Sequence, residues 1–214
     1  YNFELICDCI ASVHNGSTLA RRFWNLDSDE PKLYELITNT MSQHVHNIAS
    51  SMGNEVPDKH VITYFELLRS ITPDADSAKK SFNSLLHFTF GWNWFFTTLQ
   101  EVLTERQKRL HQIQQTQLQQ QQLQTQNQPT MQNAQVQAQI LQQQPQQLED
   151  EQLVPKEDVF EAHLMLLEHI TNLSQDCINY SRVLPEILML AECTTGPHLA
   201  GQIFNTLAAF AKHN

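Results

Sequence analysis

Apolar side chains recur at steps of three and four along almost the whole chain. Phe3, Ile6, Ile10 and Val13 make one such stripe; Leu33, Leu36, Ile37, Met41, His44, Val45 and Ile48 belong to another. Side chains at these steps share one face of an α-helix, whereas a half-buried strand alternates with period two. No alternating run bounded by turn residues competes, and 5 glycines in 214 residues leave few breaks. The pattern predicts an all-α fold.

Capping residues divide this pattern into helices. The first stripe stops at His14-Asn15-Gly16, where Gly16 can adopt a left-handed C-cap. Ser17 stands where an N-cap is wanted and opens a short helix to about Leu26. Asp29-Glu30-Pro31 places acids and a proline in a first turn, and Gly53 closes the helix that follows. Pro57-Asp58 opens the next, with Val61, Tyr64, Phe65, Leu68 and Ile71, and Pro73 ends it. Two more helices are expected over 74–88 and from 92 to about 112. Pro155 starts an amphipathic segment with Val159, Phe160, Leu164, Leu167, Ile170 and Leu173, and two or three shorter helices finish the chain.

One stretch lacks the pattern. Residues 112–148 hold 20 glutamines and no Asp, Glu, Lys, Arg or His. Glutamine tolerates a helix, so the preceding helix can run several turns past Leu110. The rest has too little apolar surface to offset the roughly 1–2 kcal/mol per residue that backbone ordering costs. Residues 125–150 read as a disordered expansion of a loop rather than an association segment. The organisation expected is a helical-repeat segment over 1–111, a Gln-rich insert over 112–150 and a continuation of the repeats over 151–214. The opening at Tyr1 and the ending inside a helical run suggest a piece of a longer chain.

Composition removes several functions. No run of 18 apolar residues occurs, so no transmembrane helix is expected. Net charge is −10 with only 13 Lys and Arg, which leaves no basic surface for nucleic acid. Cys7, Cys9, Cys177 and Cys193 show neither disulfide density nor metal spacing. His44 and His46 point apart on a helix, and His163 and His169, six apart, miss the i, i+4 spacing of helical ligands. No phosphate loop, nucleophile elbow or H-E-x-x-H occurs. No catalytic, metal or cofactor-binding residue is assigned, no small-molecule ligand is expected, and the chain does not read as an enzyme.

One pattern occurs three times. Glu4-Leu5-Ile6 precedes Ala20 to Asn25, Glu66-Leu67-Leu68 precedes Ala78 to Asn83, and Glu186-Ile187-Leu188 precedes Ala200 to Asn205. In each second piece a small residue and an aromatic stand four apart on one face, which suits a stacked helix pair. The spacing between copies is irregular. That predicts an irregular α-solenoid of stacked antiparallel helix pairs, a HEAT- or armadillo-like superhelix in which each pair covers the last. The run Trp92-Asn93-Trp94-Phe95-Phe96 is the most unusual local feature; packing inside a corner of the superhelix accounts for it better than a membrane anchor.

The order Tyr64-Phe65-Glu66-Leu67-Leu68, Trp92-x-Trp94-Phe95-Phe96, Val159 to Ser174, Leu184 to Leu188 and Asn205 to Lys212 resembles a known family. It is similar to part of the N-terminal half of the largest α-solenoid nucleoporins of the nuclear pore inner ring. The glutamine tract departs from that family, standing where a shorter loop is expected. The resemblance implies a non-enzymatic scaffold at the nuclear envelope. It also implies that linker and other scaffold nucleoporins bind helix surfaces, in support of pore assembly and nucleocytoplasmic transport. It carries over no binding residue. The alternative is an unrelated HEAT-like adaptor of nuclear transport or transcription complexes.

Overall fold

The computed structural model describes residues 3–14, 32–51, 57–126, 154–174, 180–193 and 196–212. These form eight helices and no strand: α1 Phe3–His14, α2 Lys32–Ser51, α3 Asp58–Ser70, α4 Ala75–Ser84, α5 Trp92–Gln126, α6 Glu157–Leu173, α7 Tyr180–Ala191 and α8 Pro197–Ala211. Proline and acidic signals stand at several of the starts. Pro57 precedes α3 with Asp58 in its first turn, and Pro197 opens α8. Asp74 caps α4 reciprocally with Ser77, each side chain bonding the other's backbone. The short helix read over Ser17–Leu26 lies outside the described residues. So does the disorder read over 125–150, apart from Thr125 and Gln126, which end α5.

Two rows of helices emerge from the contacts. In the first, α1 packs on α3, α3 on α6 and α6 on α8. Lys156, at the start of α6, pairs with Asp58 at the start of α3. At their far ends, His169 Nε2 donates to Thr72 O at 2.7 Å. So α3 and α6 run parallel and in step. Glu157 sits beside Gly196 where α8 begins, and Lys212 Nζ reaches Asn172 Oδ1 at 3.0 Å near its end, so α8 repeats the direction.

The second row runs the other way. Thr38 of α2 meets Tyr64 of α3, while His44, six residues on, stacks on His60, four residues back. Trp94 and Phe95 near the start of α5 touch His163 and Phe160 of α6, whereas Glu101 to Lys108 lie by Pro155 before α6 begins. Within this row α5 and α7 are parallel: Gln100 bonds Glu186 at 3.4 Å and Arg106 pairs with Glu192 at 3.2 Å, both 86 residues apart. Antiparallel helices alternating between two rows are the repeat geometry of an α-solenoid.

The repeat unit is not the one that the thrice-seen motif suggests. In its second copy, Glu66-Leu67-Leu68 lies on α3 of the first row, whereas in its third Glu186-Ile187-Leu188 lies on α7 of the second. Ala78 is buried and Phe82 stacks on Trp92 at 5.1 Å, but Phe204, at the matching position, is 61% exposed. Between these two copies the resemblance is compositional; Ala20 to Asn25 of the first lie outside the described residues. Two buried faces are wider than the expected stripes, which Met41, Val45 and the half-buried Ile10, Ile37 and Ile48 follow. On α1 Cys7 is buried and Ile6 exposed, and on α2 Tyr34 and Thr38 join Met41 and Val45 in the core while Leu36 is exposed. Hydrogen bonding explains α2. Tyr34 donates to Ser81 (2.7 Å), Ser81 to Thr72 (2.5 Å) and Thr72 to Leu68 O (2.6 Å), a buried hydroxyl relay tying α2 to α4 and to the end of α3.

Candidate functional site

The corner between α4 and α5 holds the densest aromatic packing. Leu85 to Gly91 fold back so that Trp92 N donates to Leu85 O (3.3 Å) and Gly91 N to Phe88 O (3.0 Å). Trp92 and Phe95 are fully buried, and Trp92 Nε1 donates to Phe82 O at 2.9 Å. The aromatic run is therefore a core corner, as its local pattern predicts.

His163 of α6 sits at the centre of that corner. It stacks on Phe95 (5.1 Å) and Trp94 (5.2 Å), and meets Phe65 edge-on at 4.4 Å. Nδ1 lies 2.8 Å from Val159 O and Nε2 2.7 Å from Phe90 O. Two carbonyl partners favour a doubly protonated ring, but complete burial opposes the charge and wins, lowering its pKa to about 4. The neutral ring carries one N–H and donates to one carbonyl at a time. Its role is structural, as for His169, whose pKa burial also lowers.

A pH dependence follows. The unfolded chain binds, near the ordinary histidine pKa of 6.5, a proton that the native fold refuses until about pH 4. Stability is therefore full above that ordinary value and falls as pH drops towards 4. The expected loss between pH 7 and pH 5 is about 2 kcal/mol. Urea unfolding at the two pH values measures it. The variant His163→Gln, which keeps a donor but does not titrate, is expected to lose about 2 kcal/mol less over the same interval.

Where α3 and α6 run side by side, their outer faces leave a groove of about 250 Å³. From α3 come Ile62, Phe65, Glu66 and Arg69, and from α6 Asp158, Glu161, Ala162, Met165 and Leu166. Both sets follow the i, i+3, i+4, i+7 row of a helix surface. Phe65, Ala162 and Leu166 form a buried floor, Ile62 and Met165 are half-buried, and three carboxylates and one guanidinium stand on the rim. Phe65 links the groove to the core, since its ring also touches His163. No groove residue except Phe65 was singled out from its apolar spacing. The missing signal is the register that brings α3 against α6, a pairing across about a hundred residues.

Among the described residues, no cluster of three or more His, Cys, Asp or Glu could hold a metal ion. None of their helices is long and apolar enough to cross a membrane. Burial, then Asp8, pushes the Cys7 thiol up to about 12, which suits a packed sulfur against Met41 rather than a nucleophile.

Comparison with known families decides between scaffold and unrelated adaptor. The model of the nuclear pore complex scaffold family Nup192, nucleoporins 186/192/205, matches residues 1–214, the entire chain. The chain belongs to the Nup192 family. Neither the curated proteins nor the solved structures returned a match. Nup192-family nucleoporins are structural components of the nuclear pore complex at the nuclear envelope, and this chain's solenoid rows fit a scaffold segment. Its place is among other nucleoporins.

Proposed function

We propose that this segment is part of an inner-ring scaffold that holds short segments of linker nucleoporins in grooves between its stacked helices, and so supports pore assembly and nucleocytoplasmic transport. The observation that carries the reading is the in-step, parallel run of α3 and α6. It leaves an open apolar-floored groove between packed helices, an arrangement that suits a docked peptide segment. Scaffolding of this kind needs no reacting group. The test is co-purification of the tagged protein at native expression, with imaging of its position. Linker nucleoporins in the eluate and a signal at the nuclear rim are expected. A diffuse nucleoplasmic signal with transcription factors would overturn the reading.

The same reading treats 1–111 and 151–214 as one helical body and 112–150 as a neutral insert. Residues 111–119 of α5 are exposed along their whole length, and the side chains touching α7 come earlier in the helix. Deleting residues 113–148 is expected to change the unfolding free energy by less than about 1 kcal/mol, because loop closure depends weakly on loop length. Thermal unfolding and linker capture by the deleted protein check this together.

A further inference from the structure

We infer that the α3–α6 groove takes a basic peptide segment anchored by one large apolar side chain; the inference rests on the scaffold reading above and gives its partner a chemistry. Two observations fix that chemistry. The floor is carbon: Phe65 and Leu166 close its base and Ile62 and Met165 offer half-buried flanks, while a volume of about 250 Å³ exceeds the roughly 150 Å³ that accommodates benzene. A phenylalanine or leucine side chain fits such a space. The rim is acidic: Glu66, Asp158 and Glu161 outnumber Arg69 three to one.

The carboxylates lie on both walls, Glu66 on α3 and Asp158 and Glu161 on α6. A segment lying along the groove meets negative charge on either side of its apolar anchor. Lysine or arginine before and after that anchor complements the rim, and an acidic segment is repelled. The uncharged insert at 112–148 offers no such complement.

The experiment uses the full protein and a fluorescein-labelled peptide with one phenylalanine between two lysine pairs, beside a counterpart with glutamate for every lysine. Binding of the first that weakens with salt, and none of the second, is expected. The double variant Glu66→Lys/Glu161→Lys should weaken the lysine peptide about ten-fold or more. Both side chains are surface-accessible, so circular dichroism should be unchanged. Met165→Gln removes part of the apolar flank without charge and should weaken the same peptide. Equal binding of both peptides, or no effect of the double variant, overturns the inference. Linker capture is measured in parallel. If the wild-type protein and the double variant capture linkers equally, the groove assignment fails and the scaffold reading stands. If neither captures any, the scaffold reading fails.

Discussion

Replacing Gly91 by alanine is expected to cost at least about 3 kcal/mol. A Cβ at this position would lie 1.9 Å from Leu85 O, 2.9 Å from Leu85 C and 3.0 Å from Phe88 O. All three are backbone atoms, so no side-chain rotation relieves the overlap. The carbonyls concerned also accept the bonds from Trp92 N and Gly91 N that fold the chain back into α5. Relief must come from moving the turn, and with it Phe90 O, the partner of His163, and the buried Trp92 ring. Denaturant unfolding should show a lower midpoint with an unchanged slope. A loss under about 1 kcal/mol would mean that the turn adopts another path.

The second large effect belongs to Phe95→Ala, expected to cost about 3–5 kcal/mol. Phe95 is fully buried between His163, stacked at 5.1 Å, and Phe160 at 4.7 Å, with Trp92 at 6.3 Å. Truncation leaves a cavity lined by rings that are held by several neighbours, so the site collapses poorly. Phe204→Ala provides the contrast within the same residue type. Its ring is 61% exposed, and the expected change is within about 0.5 kcal/mol. Measuring both by the same unfolding assay separates burial from composition. A Phe95→Ala variant as stable as Phe204→Ala would contradict the packing of the corner.

Helix limits were legible because backbone chemistry is local. Pro57 and Pro73 bracket α3, and the three-four spacing of Val159 to Ile170 marks the buried face of α6. Burial on α1 and α2 was less legible, because Ile6 and Leu36 satisfy the same periodicity as Cys7 and Tyr34. Which apolar stripe faces inward depends on partners that the local pattern does not name, and on a hydroxyl relay whose members lie 47 and 9 residues apart. The groove was least legible. Glu66 stands out only as part of the repeated triplet and Asp158 and Glu161 belong to no motif, and only the alignment of α3 with α6 gathers them around one apolar floor. The repeated motif erred for the same reason: similar local composition recurs on helices that belong to opposite rows.

The position of α6 has a kinetic consequence. It packs against α3, α4 and α8 and also receives the aromatic side chains of α5, whereas residues 111–119 of α5 are exposed. In a one-dimensional array, opening any unit costs its own stability plus its contacts with the neighbours on either side. Amide hydrogen exchange should therefore be slow in α6 and fast along residues 111–119 of α5. Because His163 and Phe65 join α6 to the groove floor, a ligand seated there would slow exchange in α3 and α6 together, reporting occupancy from the backbone of both.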